Sequence, residues 1–137
     1  MAEHLFTYGT LRRGAPMHRL LEGRVRCLGP AHAPGRLLDL GAFPALVSPA
    51  TDLDRVRGEL FAVEWTQSAV LLDALDRYEG ASFARESARV EGPEGVVLAW
   101  LYRWLGDPRG RALVPGGDYL AAPRVPVSSP APRGDRR

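Results

Sequence analysis

The chain has 137 residues, of which 45% are hydrophobic and 25% charged, and this composition is typical of one soluble globular domain. The formal net charge of +2 arises at the end of the chain: residues 1–122 carry 14 Arg against 15 Asp and Glu, whereas residues 123–137 carry 4 Arg against 1 Asp. The body of the chain therefore has no basic excess for binding nucleic acid, and no apolar run approaches the ~20 residues of a membrane span.

Composition also bears on the origin and location of the protein. The sequence contains no Lys, Asn or Ile, and because their codons are AT-rich we expect a GC-rich, bacterial genome. The acidic Glu3 lies where a secretory signal would be positively charged, so we expect a cytoplasmic protein. The single cysteine, Cys27, allows no intramolecular disulfide and no Cys-based metal site, and the three histidines lack the spacing of metal ligands.

In the first half of the chain, short apolar and alternating segments predict strands separated by turns. These strands lie at residues 4–8, 24–28, 36–40 and 45–48. A short helix is predicted from Pro16 to Glu22, because proline is tolerated in a first helical turn and Gly23 would end the helix. Two glycines and two prolines between residues 29 and 35 are expected to break the chain repeatedly.

The middle of the chain predicts a longer strand and the best helix. The strand covers residues 55–65, and Gly58 inside it indicates a bulge or a close backbone approach. Helical spacing of leucines predicts a helix over residues 67–78, with Thr66 as its N-cap and Gly80 at its end.

The last part of the chain predicts a hairpin and a tail. Residues 83–90 and 96–104 are expected to pair across the turn at residues 92–95, and residues 115–119 form a further turn. Four prolines in residues 123–137 predict a disordered tail. Many short strands with one good helix indicate an α+β domain on a small antiparallel or mixed sheet, which can close into a barrel.

The first candidate for chemistry is the run Tyr8-Gly9-Thr10-Leu11-Arg12, where a strand ends at a glycine and a hydroxyl residue follows. Such a turn can direct successive backbone N–H groups at one point and bind an anion, and glycine lets a ligand approach the backbone closely. The alternative is an ordinary turn from strand to loop. The run is not a phosphate-binding loop of the nucleotide type, because the chain has no lysine.

The second candidate is the carboxylate at the end of the predicted helix. Glu79 lies four residues after Leu75 and seven after Leu72, so helical geometry places the three on one face. Partial burial raises the pKa of a carboxyl group toward the range useful for proton transfer. Asp76, four residues after Leu72, is a rival on the same spacing, and a solvated helix-end glutamate is the ordinary alternative. The three tryptophans, at positions 65, 100 and 104, are expected in the core or the barrel wall.

The order and spacing of these clusters resemble the gamma-glutamylcyclotransferase-like (AIG2-like) family. Its N-terminal signature is similar to Tyr8-Gly9-Thr10-Leu11-Arg12, and its catalytic segment is similar to Leu75-Asp76-Arg77-Tyr78-Glu79-Gly80 followed by Phe83 and Arg85. Further similar stretches lie at residues 35–39, 43–45, 56–60 and 117–119. The resemblance covers roughly residues 4–120, so we expect one domain of residues 1–122 and a separate Pro/Arg-rich tail of residues 123–137.

The resemblance implies a small mixed or antiparallel β-barrel flanked by a few short helices. It implies an enzyme without metal or cofactor that cyclises a small-molecule γ-glutamyl amine or amide, releasing 5-oxoproline and a free amine. It favours Glu79 over Asp76 as the acid/base catalyst. It further implies that the substrate is contacted by Tyr8, Gly9, Thr10, Leu11 and Arg85, although a surface role for Arg85 is equally open.

The chain departs from the family pattern in a short insert and in having Phe83 where the family often has tyrosine, which leaves the substrate's identity open. Two other classes of function also stay open at this point. One is a non-catalytic protein that binds a small γ-glutamyl or amino-acid-like ligand. The other is an interaction or nucleic-acid-binding module that acts through the arginines of residues 123–137, although we expect neither nucleic acid nor membrane as a partner.

Overall fold

The structure, a computed structural model, describes residues 3–9, 11–12, 18–41 and 43–119. Within these ranges lie eight strands: β1 (Glu3–Thr7), β2 (Val25–Pro34), β3 (Arg36–Asp39), β4 (Pro44–Val47), β5 (Arg55–Val63), β6 (Phe83–Gly92), β7 (Gly95–Trp104) and β8 (Ala112–Leu113). One α-helix, α1 (Ser68–Glu79), and 3₁₀ turns at His18–Leu20, Trp65–Gln67 and Pro115–Gly117 complete the described elements. The predicted boundary at residue 122 and the predicted tail lie outside the described residues.

Five of the strands form a closed barrel in the order β1, β5, β2, β6, β7. All neighbours are antiparallel except β1 and β7, which run parallel and meet at the single residue pair Leu5 and Trp100. The predicted hairpin is confirmed, since β6 and β7 pair along their whole length from Phe83–Trp104 to Gly92–Gly95. The architecture is therefore the α+β fold with a small mixed barrel that the sequence predicts.

A small sheet of three strands, in the order β4, β3, β8, accompanies the barrel. β3 lies at its centre, because Leu38 pairs with Ala45 of β4 on one side and with Leu113 of β8 on the other. Buried residues of this sheet join the core of the barrel. Since β4 begins at Pro44, the sheet also brings the turn before Pro44 close to the end of β1, and this contact shapes the candidate site.

Alternation along the barrel strands divides the buried residues into two clusters. One contains Phe6 of β1, Leu60 of β5 and Leu101 of β7 and fills the barrel. The other contains the intervening residues of the same strands, such as Leu5, and packs them against Leu71 and Leu75 of α1. Because successive side chains of a strand point to opposite faces, the barrel wall is covered on the side of α1 as well as inside.

The helix α1 follows the predicted pattern in its buried face and in its end. Leu71, Leu72 and Leu75 are buried, as expected for apolar residues at helical spacing. Gly80 ends the helix with φ 77°, a conformation that glycine adopts without steric cost. The predicted start was wrong: Thr66 lies inside a 3₁₀ turn, and Gln67 occupies the N-cap without a side-chain hydrogen bond.

Three further expectations were wrong. Gly29, Pro30 and Pro34 do not break the chain but lie within β2, whose irregularity is confined to a bulge between Cys27 and Gly29. Proline is tolerated there because β2 meets β6 at a single residue pair, which leaves most of that side without ladder hydrogen bonds. Trp65 is 70% exposed and belongs neither to the core nor to the barrel wall.

The third error concerns the helix predicted from Pro16 to Glu22, of which only His18–Leu20 forms a short 3₁₀ turn. Residues 13–17 lie outside the described ranges. No helix in the described ranges is long and apolar enough to cross a membrane.

Candidate active site

A pocket opens at the end of β1, between the barrel, α1 and the small sheet. It is lined by the end of β1 through Gly9, by Leu11, by the turn at Phe43 and Pro44, and by Glu79, Phe83 and Tyr102. Its volume is about 30 Å³, or about 430 Å³ when the open space at its mouth is counted. The smaller volume has room for only about two water molecules, so the bulk of an organic ligand would occupy the mouth.

Tyr8 anchors the turn after β1 to the opposite wall of the pocket. Its hydroxyl donates a buried hydrogen bond of 2.6 Å to the backbone carbonyl oxygen of Tyr102 on β7. This bond ties the ends of the two parallel strands together beyond their single pair at Leu5 and Trp100. Tyr8 therefore holds the two walls of the pocket at a defined separation.

Gly9 is required by close packing in this turn. A Cβ atom on Gly9 would lie 2.8 Å from Cγ of Pro44, closer than real Cβ atoms approach a neighbour. The turn is closed by a hydrogen bond of 3.1 Å from the backbone N–H of Arg12 to the carbonyl oxygen of Gly9. The backbone is thus compact where the sequence suggests an anion-binding turn. Thr10, the central member of that suggestion, lies outside the described residues.

Arg12 connects the turn after β1 to residues 117–119 near the end of the described chain. Its guanidinium donates a hydrogen bond of 2.6 Å to Asp118, in an ion pair whose side chains are 13% and 24% exposed. Gly117, the preceding residue, has φ 68°, and a Cβ atom there would lie 2.4 Å from the carbonyl oxygen of Arg55. The two distant motifs of the sequence, residues 8–12 and 117–119, therefore meet in space.

Glu79 is the last residue of α1 and lines the pocket beside Tyr8 and Gly9. It is half-buried, and the buried leucines at positions 71, 72 and 75 fix the helix against the barrel. Its carboxylate is close enough to Tyr102 that its charge contributes to raising the pKa of that phenol. The structure therefore places the predicted acid/base residue and the predicted turn in one pocket.

Tyr102 is the pocket residue that the sequence prediction missed. Its hydroxyl donates a hydrogen bond of 2.6 Å to Oδ1 of Asp76. Burial, together with this bond to a carboxylate, raises the pKa of Tyr102 far above its ordinary value, so the phenol stays protonated and acts as a fixed donor. In the sequence Tyr102 is one member of a mostly apolar strand, and the local pattern does not indicate that its hydroxyl binds Asp76.

Asp76, the rival carboxylate, has a different environment. It accepts hydrogen bonds from Nε of Arg85 at 2.9 Å and from Nη2 of Arg85 at 3.2 Å, besides the bond from Tyr102. Although partial burial alone would raise the pKa of Asp76, the hydrogen bonds from Arg85 and Tyr102 hold it below its usual value. Asp76 is therefore an ionised partner in a network, and it is absent from the pocket lining that contains Glu79.

Arg85 lies on the outer side of this network. Its guanidinium pairs with Asp76 and lies 4.6 Å above the ring of Trp100, and neither Arg85 nor Trp100 is among the pocket's described lining residues. Phe83 lines the pocket and contacts Phe43 with ring centroids 5.9 Å apart. The pocket thus brings together Tyr8, Gly9, Leu11 and Glu79, but not Arg85.

Among the described residues there is no group of three or more His, Cys, Asp or Glu side chains placed to bind a metal ion. The acidic residues nearest the pocket, Glu79 and Asp76, have neither histidine nor cysteine beside them in the pocket lining.

Comparison with known proteins gives a consistent result. A family model described as gamma-glutamyl cyclotransferase, AIG2-like, matches residues 5–121. A Vibrio cholerae protein named "Putative gamma-glutamylcyclotransferase" is 33% identical over 123 residues, which are 85% of this chain and 96% of that relative.

Solved structures share the fold. YkqA of Bacillus subtilis superposes with a TM-score of 0.70 at 25% identity over 87% of this chain, although the match spans 40% of the longer YkqA chain. An AIG2-like protein of Mus musculus superposes with a TM-score of 0.65 at 24% identity, over 98% of this chain and 99% of the mouse protein. The family model covers both motifs that meet at the pocket, the turn after β1 and the end of α1. The chain therefore belongs to the gamma-glutamyl cyclotransferase, AIG2-like family.

Proposed function

We propose that the protein cyclises a γ-glutamyl amine or amide by intramolecular aminolysis and releases 5-oxoproline and a free amine, with Glu79 as the acid/base catalyst. Membership of the family indicates an enzyme that acts on a small molecule. The observation that carries the finer proposal is that Glu79 shares one pocket with the turn after β1. A single carboxylate beside a turn that can bind a substrate anion is what this reaction requires.

The chemistry needs a proton carrier and no enzymic nucleophile. Glu79, as carboxylate, takes a proton from the substrate's α-ammonium group, and the resulting amine attacks the γ-carbonyl carbon of the same molecule. A new C–N bond closes the five-membered ring and the carbonyl oxygen gains negative charge. Glu79 then returns the proton to the leaving nitrogen, the old C–N bond breaks, and the carbonyl re-forms. The second proton of the ring nitrogen passes to the released amine, which departs as an ammonium ion. Charges and atoms balance without any other reactant.

The turn after β1 would bind the charged parts of the substrate. Backbone N–H groups of Gly9, Thr10 and Leu11 are proposed to hold the α-carboxylate or the developing oxyanion. The close contact between Gly9 and Pro44 supports this, because a rigid turn loses little entropy when it binds a ligand. Holding the substrate in a folded-back conformation would supply much of the rate, since the reacting groups belong to one molecule.

The other polar residues near Glu79 are less suited to carrying a proton. Tyr102 has a raised pKa and donates its only hydroxyl proton to Asp76. Asp76 has a lowered pKa because it is paired with Arg85 and Tyr102. A substrate contact by Arg85 remains a proposal, and it would require the arginine to exchange or share its present bonds to Asp76.

The test measures 5-oxoproline release from a panel of γ-glutamyl amines, amino acids and peptides. Glu79→Gln keeps the size of the side chain and removes its proton affinity, so we expect kcat to fall about 10²–10⁴-fold. Glu64→Gln is the matched control, since Glu64 is an exposed glutamate just before the other end of the helix. It should leave kcat unchanged.

The remaining outcomes decide between this proposal and its alternatives. Release that survives in Glu79→Gln would move the catalyst to another residue. Ligands that raise the melting temperature without any release of 5-oxoproline would instead support a binding protein. Binding of nucleic acid that weakens steeply with salt would support the interaction module.

A further inference from the structure

The carboxylate next to the proposed catalyst on α1 is held by three hydrogen bonds from two other strands. Asp76 lies three residues before Glu79, a spacing that puts the two side chains about 5–6 Å apart at Cβ on one helix face. Tyr102 of β7 donates to Oδ1 of Asp76 at 2.6 Å, and Arg85 of β6 donates to both of its oxygens at 2.9 and 3.2 Å. This fork geometry is selective for arginine and carboxylate.

The same network reaches both walls of the pocket. Tyr102 donates to Asp76 through its hydroxyl, while its backbone carbonyl oxygen accepts the hydrogen bond from Tyr8. The ring of Tyr102 lines the pocket with Glu79, and the Asp76–Arg85 pair lies on the other side of that ring, in an open groove it shares with Trp100. The network therefore connects the turn after β1, the wall at β7 and the catalytic end of α1.

We propose that Asp76 and Arg85 are positioning residues, which keep the charge next to Glu79 balanced and, through Tyr102, fix the end of α1 against the barrel. This inference rests on the proposed function of Glu79. An unpaired Asp76 carboxylate would repel the carboxylate of Glu79 and make it harder to ionise. An unpaired Arg85 would attract the carboxylate of Glu79 and make it easier to ionise. The ion pair between Arg85 and Asp76 brings these two opposite charges together at the end of α1.

Among the residues that the structure describes, four elements bring charged or titratable groups to this network. Asp76 lies on α1 itself, Arg85 on β6 and Tyr102 on β7. From β1, Tyr8 lines the pocket, and Glu3 is close enough to contribute to the raised pKa of Arg85, after its hydrogen bond and ion pair with Asp76. Both tyrosines hydrogen-bond as donors, so Asp76 and Arg85 carry the opposite charges of this network.

The test removes each charge separately and follows the acid limb of kcat/KM for 5-oxoproline release, which reports ionisation of the catalytic base in the free enzyme. Asp76→Asn should move the limb to lower pH and Arg85→Gln should move it to higher pH, each by about 0.5 unit. The double variant should return close to the native position. Both shifts should shrink in ~1 M salt, where charges are screened within about 3 Å.

Matched controls separate this role from general damage to the fold. Asp73→Asn removes an acid that pairs with Arg77 on the same helix, and Arg103→Gln removes an arginine that pairs with Glu86 across the same hairpin. Both should leave the acid limb in place. Arg85→Lys keeps the charge without the fork, so it should keep the native limb even if it lowers the melting temperature.

A second readout does not depend on turnover. Titration of the ¹³C-labelled Glu79 carboxyl by NMR in the native protein and in Asp76→Asn and Arg85→Gln should show the same opposite shifts. If the native protein releases no 5-oxoproline, the proposed function fails, but these titrations still decide the inference. Shifts in the same direction, or shifts no larger than those of the control variants, would overturn it.

Discussion

Replacing Gly58 of β5 by alanine should destabilise the barrel where β5 pairs with β1, the strand that leads into the candidate site. A Cβ atom on Gly58 of β5 would lie 2.0 Å from the carbonyl oxygen of Thr7 and 2.9 Å from Cζ of the buried Phe6. The nearer atom belongs to the backbone of β1, so no side-chain rotation can relieve the clash. Overpacking in a core typically costs 1–3 kcal/mol, and we expect a loss of about 3 kcal/mol because two paired strands must move apart.

Gly92→Ala is the matched control for this prediction. Gly92 also lies in a barrel strand, and its Cβ would meet Cδ2 of Leu60 at 2.6 Å. That atom is the end of a flexible side chain that can rotate away, so we expect a loss of only about 1 kcal/mol.

The assay is thermal or urea unfolding followed by circular dichroism. At roughly 4 °C per kcal/mol for a domain of this size, Gly58→Ala should melt about 12 °C below the native protein and Gly92→Ala about 4 °C below it. Equal melting temperatures for the two variants would refute the reasoning, because it depends on a backbone atom yielding less than a side chain.

Two further predictions concern hydrogen bonds to buried and exposed groups. Tyr8→Phe removes the buried bond to the carbonyl oxygen of Tyr102, so the free energy of unfolding should fall by about 1–2 kcal/mol in urea denaturation; an unchanged value would mean that the bond does not hold the strand ends. The backbone N–H groups of Ala50 and Thr51 lower the pKa of Asp54 below 3.8, so its contribution to stability is present above about pH 4 and is lost as the pH falls through the lowered value. Asp54→Asn should therefore melt with a weaker dependence on pH between pH 2 and pH 4 than the native protein, measured by differential scanning calorimetry.

Local chemistry made much of the fold predictable. Gly58 is confirmed as a site of close backbone approach, and Gly80 ends α1 with a positive φ of 77°, as its position after the leucine pattern predicts. The position of Gly80 is decided by its immediate neighbours in the chain, whereas the neighbour that Gly58 approaches is Thr7 of another strand. Helical spacing also predicts that Glu79 follows the leucine face, and the residue is half-buried at the end of α1.

Features that depend on partners far away in the chain could not be predicted from local patterns. Pro30 predicts a break in the strand. In the barrel it is tolerated because β2 has few backbone hydrogen bonds to β6. Nothing in the local sequence indicates that Tyr102 donates to Asp76, 26 residues away in the chain. The role of Arg85 was open for the same reason, since its bonds to Asp76 exist only when β6 lies beside α1.

The bond between Tyr8 and Tyr102 also has a consequence for how the molecule is made. These residues are 94 positions apart, and β1, which precedes the other described strands, pairs within the described residues with β5 and β7, both much later in the chain. Contacts of such long sequence separation slow folding, because the loop entropy is lost before the contact forms. During synthesis β1 can pair with β5 first, but its bond to Tyr102 must wait until β7 has left the ribosome. Chains halted before residue 102 would therefore lack the pocket wall that Tyr102 provides.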